Sequence, residues 1–127
     1  MPLRFRTELG MTFVITKGLG KCLFVYREDA FSALEKQMME QPPLDMNAIR
    51  LQRWFSAEAV DTQSDSQGRV AIPSNLREFA GIGDEVTIVG TGPRIEIWSR
   101  TGWDAFNASV TEMEVSQSAV EIGLARA

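Results

Sequence analysis

The chain contains the same sequence pattern twice, and this internal repeat constrains the fold more than any other feature. Residues 1–34 read MPLRFRTELGMTFVITKGLGKCLFVYREDAFSAL, and residues 72–106 read IPSNLREFAGIGDEVTIVGTGPRIEIWSRTGWDAF. A repeat of this kind predicts two similar half-folds within one chain. With small gaps, the matched positions are Pro2 with Pro73, Arg6 with Arg77, Gly10 with Gly81, residues 23–26 with 95–98, and Phe31 with Trp103.

The composition is that of a soluble globular protein. The 127 residues are 44% hydrophobic and 24% charged, enough for one domain or two small interlocked halves. No apolar run approaches the roughly 18–20 residues that cross a bilayer, and no signal peptide is recognisable at the N-terminus. The single cysteine, Cys22, cannot form an intrachain disulfide. We therefore expect a cytoplasmic protein without a membrane partner.

Charge is distributed unevenly along the chain. The net charge is −4, which argues weakly against nucleic acid as a partner. Up to Arg27, however, the chain carries five basic residues against Glu8 alone, whereas from Asp104 onward it carries four acids against Arg126. A basic surface on an acidic protein can still bind phosphates, because salt screens distant charges. The alternative is an ordinary solvated charged face.

Apolar runs separated by glycine-containing loops predict two β-hairpins. The first pairs residues 13–16 with 22–26, and the second pairs 84–89 with 94–98. Residues 57–63 are a weaker strand by composition, residues 65–68 form a turn with Gly68 free to take a positive φ, and residues 69–72 are a short strand.

Helices are predicted between these strands. Apolar spacing predicts one helix from Glu28 to about Met39, and Asp45 is a plausible N-cap for a second through Trp54. Pro73 suits the first position of a short helix over 74–80, which Gly81 can end. Ser99 can cap a helix carrying Trp103 and Phe106, and residues 108–127 are expected to be a frayed helix or a flexible tail. The predicted class is α+β, with a mostly β core and peripheral helices.

The sequence argues against an enzyme. Histidine is absent, which removes the commonest general base and transition-metal ligand. Cys22 lies within an apolar strand, where a buried, unreactive thiol is expected. Residues 90–92 lie between strands and resemble a turn, not a phosphate-binding loop. We predict no catalytic residue, no metal site, no cofactor and no small-molecule substrate.

The most specific motif is D-x-x-G-R followed by I-P-x-x-L-R, over residues 65–77. Asp65 and Arg69 flank a tight turn, so the carboxylate can accept a bidentate pair from the guanidinium and hold it in one orientation. A guanidinium held in this way is preorganised to meet a phosphate or a guanine edge. The alternative is that Asp65 and Arg69 only brace the turn.

With these motifs the chain resembles the MraZ family, regulators of the bacterial division and cell-wall gene cluster within the AbrB/MazE-like swapped-hairpin superfamily. The matching stretches reach nearly to Trp103 and together are specific to that family. They are residues 2–6, 18–26, 51–56, 65–81 and 89–98.

The resemblance implies a nucleoid-associated transcription regulator that binds double-stranded DNA at promoter repeats and assembles into a ring-shaped homo-oligomer. In the family each half carries a D-x-x-x-R motif on its DNA-facing surface, and Asp65 and Arg69 match the second. The expected DNA-binding residues are Asp65, Gly68, Arg69, Arg77, Arg4 and Arg6.

The first motif of the family has no counterpart here, since residues 2–6 match the stretch that follows it. We therefore expect a first half that lacks its N-terminal strand; a start codon assigned too late is the favoured explanation, ahead of a truncated chain or true loss. The expected organisation is a first AbrB-like half with two helices over 1–56, a second half over 57–107, and an acidic tail over 108–127.

Other interpretations remain open at this point. Trp54 and Phe55 are candidates for the ring interface, with an ordinary core position as the alternative. Apolar residues of the acidic tail suit an antitoxin-type interaction module whose tail wraps a partner protein; they are Val115, Val120, Ile122 and Leu124. A more remote alternative is an enzyme with an unrecognised site.

Overall fold

The two predicted hairpins supply four of the five strands of one antiparallel sheet. The computed structural model describes residues 1–124, except for the side chains of Leu3 and Glu8. The strands lie in the spatial order β3–β1–β2–β5–β4. They are β1 (Thr12–Lys17), β2 (Leu23–Arg27), β3 (Val60–Gln63), β4 (Val86–Gly90) and β5 (Ile95–Ser99). Together with the helices, this sheet confirms the α+β class.

The two hairpins join through their second strands. β2 pairs with β5 in antiparallel register, with Leu23 opposite Ile97, Phe24 opposite Glu96 and Val25 opposite Ile95. In the sequence repeat, residues 23–26 match residues 95–98, so Phe24 and Glu96 are at once sequence equivalents and direct partners. The two equivalent strands therefore run antiparallel to each other, with the Phe24–Glu96 pair at the centre of their register.

Helices cover both faces of the sheet. They are α1 (Leu3–Leu9), α2 (Glu28–Met39), α3 (Met46–Leu51), α4 (Ser74–Ala80), α5 (Arg100–Ser109) and α6 (Glu112–Glu121), with a π-helical turn over Gln52–Ser56. One cluster packs Phe13 and Ile15 against α1 and α4 through Phe5 and Leu76. A second cluster lies on the opposite face, because alternate strand residues point to opposite sides of a sheet.

That second cluster packs the sheet against α2, the π-helical turn and α5. It contains Val14, Cys22, Phe24, Tyr26, Phe31, Met38, Phe55 and Trp98. Burial on both faces explains why the central strands are continuously apolar instead of alternating with polar residues.

Several predicted boundaries are confirmed by local geometry. The Asp45 carboxylate accepts hydrogen bonds from the N–H groups of Asn47 and Ala48, and the Ser99 hydroxyl accepts one from Gly102. Gly81 ends α4 in the left-handed conformation, with φ of 64°. Pro73 differs slightly from expectation, because it precedes the first helical residue of α4 instead of occupying it.

One predicted element is corrected. Residues 69–72 are not a strand, because only Val70 pairs, through an isolated bridge to Ser64 across the turn. Within residues 108–124 the structure has helix α6, which Thr111 caps by accepting the Glu114 N–H at 3.1 Å. The tail prediction for 125–127 lies outside the described residues.

The segment before β1 has the same geometry as the segment before β4. α1 follows Pro2 with φ of −58° and ψ of 147°, and α4 follows Pro73 with φ of −56° and ψ of 147°. α1 ends at Gly10, which like Gly81 has a positive φ. In each copy a hairpin and a further helix follow. The sequence analysis predicts no helix or strand over the first ten residues, so α1 is seen only in the structure.

Candidate nucleic-acid interface

The turn over residues 65–69 is held by the backbone and by one carboxylate. The Asp65 N–H donates to the Arg69 carbonyl at 2.8 Å, and the Gly68 N–H donates to the Asp65 carbonyl at 3.0 Å. Asp65 Oδ1 accepts from the N–H groups of Arg69 and Gln67, each at 2.8 Å. These bonds, that from Arg69 foremost, lower the pKa of Asp65. These hydrogen bonds hold the two ends of the turn together.

The expected Asp65–Arg69 ion pair is not present. Asp65 binds the backbone, and the Arg69 guanidinium makes no hydrogen bond or ion pair with the part of the chain that the structure describes. A carboxylate at the first position of a turn meets the nearby N–H groups before it can reach a flexible guanidinium. Arg69 is exposed, so its guanidinium N–H donors face solvent, while the hydrogen bonds of the turn hold its backbone in place.

The N-terminal segment packs directly onto this turn. The Met1 amino group donates to the Gly68 carbonyl at 2.5 Å. A Cβ on Gly68 would lie 2.9 Å from Arg6 Cζ and 3.0 Å from the Met1 carbonyl oxygen. Gly68 also has φ of 81°. The positive φ favours glycine at this position, and the close approach of the N-terminal segment leaves little room for a larger side chain.

Arg6 is brought to the turn by this contact. Its Nε is buried without a hydrogen-bond partner among the described residues. An orphaned donor of this kind is unusual, because buried polar groups are nearly always paired. Arg6 and Arg69 thus belong to one surface built from both halves of the chain.

Arg4 and Arg77 lie on other parts of the structure. The Arg4 guanidinium sits 5.0 Å from the centre of the Phe5 ring, and its Nη2 lies 3.7 Å from where a Cβ on Gly90 would be. Arg77 is exposed in the last turn of α4. The structure therefore joins Arg6 to the Gly68 turn and places Arg4 beside the end of β4.

Other chemistry finds little support in the described residues. Cys22 is buried, its Sγ donates to the Leu19 carbonyl, and loss of hydration raises its pKa to about 12. Among the described side chains, no group of three or more histidine, cysteine or acidic residues is arranged to hold a metal ion. Among the helices described, none is long and apolar enough to cross a membrane.

Native Cys22 is expected to resist thiol reagents. At about pH 8 its raised pKa leaves it protonated, and the thiolate is the reactive species. Labelling with a maleimide or a disulfide reagent should be slow in buffer and fast in denaturant, followed by mass spectrometry. Rapid labelling of the folded protein would show that the thiol is accessible.

Two features of the structure were missed in the sequence. Buried Glu96 accepts from Arg94 at 3.0 Å and from Trp98 Nε1 at 2.9 Å, a network beside the join of the hairpins. Lys17 Nζ lies 4.0 Å from the centre of the Trp54 ring, beside Arg53. The R-x-E-x-W spacing of residues 94–98 indicates the Glu96 network, because alternate strand residues share a face. No local signal predicts the contact of Lys17 with Trp54.

Phe55 is a core residue and not an exposed aromatic. It is 7% exposed and stacks on Phe24, with ring centres 6.1 Å apart. Trp54 is half-buried against Phe79 and donates to the Gly18 carbonyl at 3.1 Å. Of these two aromatic residues, only Trp54 is exposed enough for a partner to contact it.

Comparison with known proteins agrees with the sequence resemblance. The model of the family described as "MraZ protein, putative antitoxin-like" matches residues 1–53 and 55–122. A protein of Alkaliphilus oremlandii (strain OhILAs), named Transcriptional regulator MraZ, is 39% identical over 126 residues, covering 98% of this chain and 88% of that protein. A protein of the same name from Halothermothrix orenii is 41% identical with the same coverage. One from Moorella thermoacetica is 43% identical over 106 residues, or 84% of this chain and 74% of that protein.

These matches place the chain in a family of transcriptional regulators. That family is MraZ, and the chain belongs to it.

Proposed function

We propose that this protein is a sequence-specific DNA-binding regulator of the bacterial division and cell-wall gene cluster. The observation that carries the proposal is the exposed Arg69 guanidinium, which has no partner among the described residues and lies on a turn held by Asp65. An arginine presented from a rigid backbone can bind the O6 and N7 atoms of guanine or a phosphate. Family membership supports the same function.

The remaining proposed contacts divide by role. Arg69 and Arg6 lie at one surface, so we assign base or phosphate contact to Arg69 and phosphate contact to Arg6. Arg77 and Arg4 provide further positive charge that positions the DNA without reading its sequence. Gly68 and Asp65 contribute by shaping the turn and not by touching DNA.

The proposed architecture is a tandem pseudo-repeat of swapped-hairpin halves. Two observations support it: the matching geometry of α1 and α4, and the pairing of β2 with β5 about Phe24 and Glu96. In this proposal residues 1–56 and 57–107 are the halves, and each hairpin completes the other's sheet.

A ring-shaped homo-oligomer suits the small surface of each subunit. Few phosphate contacts give weak affinity for one subunit, and many copies along repeated promoter elements raise it through avidity. Two similar but unequal halves can supply the head-to-tail contact that ring closure needs. The proposed location is the cytoplasm, in association with the nucleoid.

The proposal is tested by electrophoretic mobility with promoter DNA from upstream of the organism's own division and cell-wall genes. Binding should survive an excess of unrelated duplex and weaken steeply as salt rises, because counterions are released. Equal competition by the unrelated duplex would contradict sequence-specific recognition.

An antitoxin-type interaction module is the second candidate. Val115, Ile122 and Leu124 are exposed, as an anchor for a partner protein would be. This alternative predicts that removing residues 111–127 abolishes capture of a partner and leaves promoter binding intact.

Asp65→Ala is expected to weaken DNA binding less than loss of Arg69 but to destabilise the turn more, with Asp65→Asn intermediate because it keeps an acceptor oxygen. The lowered pKa of Asp65 sets the direction of the pH dependence. The ionised carboxylate stabilises the fold above the unfolded-state pKa of 3.8, and this stabilisation is lost as the pH falls through the folded-state pKa. The free energies of unfolding of wild type and Asp65→Ala in urea should therefore differ at about pH 7, and the difference should shrink as the pH falls below 3.8. A constant difference would contradict the role of the charge.

A further inference from the structure

Helix α6 is left largely uncovered by the described part of the subunit. None of its residues is buried, Met113 is 82% exposed, and Ile122, which directly follows the helix, is 72% exposed. A helix of ten residues is shorter than the roughly 12–15 that an isolated helix needs in water. Its apolar residues therefore point to a surface that stabilises it.

The outward side of α6 is both acidic and apolar. Ala119 and Val120 are half-buried and all other α6 residues are exposed, so these two mark the more covered side of the helix. The helical repeat then places Glu114 and Glu121, with Val115 and Ile122 beside them, on the exposed side. Residues 101–124 contain four acids and no lysine or arginine.

A surface of opposite charge lies around α3 and the π-helical turn. Lys17, Met46, Arg50, Arg53 and Trp54 line an open cavity of about 440 Å³. We call these five residues the basic corner. None of them is acidic, and Arg53 has no hydrogen-bond or ion-pair partner among the described residues. Exposed apolar side chains border the corner: Met46 is 59% and Leu51 44% exposed.

We propose that α6 of one subunit binds the basic corner of the next. Both surfaces are exposed in the single subunit, so they do not cover one another within it. Glu114 and Glu121 supply carboxylates for Arg50 and Arg53, while Val115 or Ile122 enters the cavity beside Met46 and Trp54. DNA phosphates would satisfy the charges but leave the exposed apolar side chains without a partner, which favours α6 as the occupant.

This contact is heterologous, because two different surfaces meet. Each subunit carries one of each, so every bound subunit offers a free surface to another and the assembly ends only by closing. The inference rests on the oligomer of the proposed function and names the surfaces that form it.

Charge reversal tests the pairing. Arg50→Glu with Arg53→Glu, or Glu114→Lys with Glu121→Lys, should weaken self-association roughly tenfold or more, since like charges then face each other. Combining all four changes should restore it. Arg27→Glu is the matched control: Arg27 lies at the far end of the β1–β2 hairpin from Lys17 and pairs only with exposed Asp29. Sedimentation velocity gives the subunit number, and circular dichroism verifies folding.

Cysteine cross-linking tests the geometry in a Cys22→Ala background. Met46→Cys and Val115→Cys proteins, mixed and oxidised, should form a disulfide-linked dimer, whereas neither should when alone. Dimers of Val115→Cys alone would mean that α6 meets α6, which overturns the proposal.

The outcomes separate this inference from the proposed function. A monomeric wild type would contradict both the ring and the interface. An oligomeric wild type unaffected by charge reversal would overturn only the interface. If reversal at Arg50 and Arg53 abolished promoter binding with the subunit number unchanged, the basic corner would be a DNA surface and the proposal wrong.

Discussion

Replacing Arg69 with alanine should abolish specific promoter binding while leaving the fold and the oligomer nearly intact. The guanidinium is exposed and has no partner within the described residues, so its removal disturbs no internal contact. Loss of one bidentate base contact costs about 1–3 kcal/mol, and the loss recurs in every subunit that engages DNA. Fluorescence anisotropy with a promoter duplex measures the change.

Two further variants make this test specific. Arg69→Lys keeps the charge but not the planar fork, so it should retain binding to any duplex and lose preference for the promoter. Arg27→Ala removes an arginine from a surface ion pair outside the interface and should leave affinity unchanged. Unaltered promoter affinity in Arg69→Ala would remove the main support for the proposed function.

Glu96→Ala should be the most destabilising of the changes considered. Glu96 is 8% exposed and accepts hydrogen bonds from both Arg94 and Trp98. Its removal leaves a charge and a buried indole N–H unpaired at the join of β2 and β5. Breaking a buried pair costs about 3–5 kcal/mol; Arg94 is partly exposed, so we expect a loss of about 2–3 kcal/mol in urea unfolding.

Glu96→Gln is the matched control for this loss. The amide oxygen can still accept from Trp98, so the variant should recover part of the stability while losing the charge pairing with Arg94. Because β5 connects the second hairpin to the first, Glu96→Ala should also weaken DNA binding in proportion to unfolding and not beyond it. Equal stability of wild type and Glu96→Ala would show that water replaces the carboxylate.

Elements governed by neighbouring residues could be predicted from the sequence. The hairpins, α2, the Asp45 cap and the end of α4 at Gly81 follow from side-chain patterning and local backbone preference. The π-helical turn could not be predicted, because no local signal marks it; within this turn Phe55 stacks on Phe24, a residue distant in the chain.

The turn over residues 65–69 was predicted in its residues but not in its contacts. Asp65, Gly68 and Arg69 form the expected turn, yet the carboxylate binds backbone N–H groups and leaves the guanidinium unpaired. From the motif alone both arrangements are possible, since each satisfies the carboxylate. The Asp65 carboxylate binds the backbone because these N–H donors already lie within the turn, so no further side-chain entropy is lost.

The sequence by itself determined the repeat, the hairpins, the α+β class and the motif that marks the family. These depend on interactions between residues close in the chain, which patterning records directly. Only the tertiary structure decided that β2 pairs with β5, that Arg6 reaches Gly68 across 62 positions, and that no residue of α6 is buried by the described part of the subunit. Such contacts join residues distant in the chain, and they are selected by the packing of the whole molecule and not by any local preference.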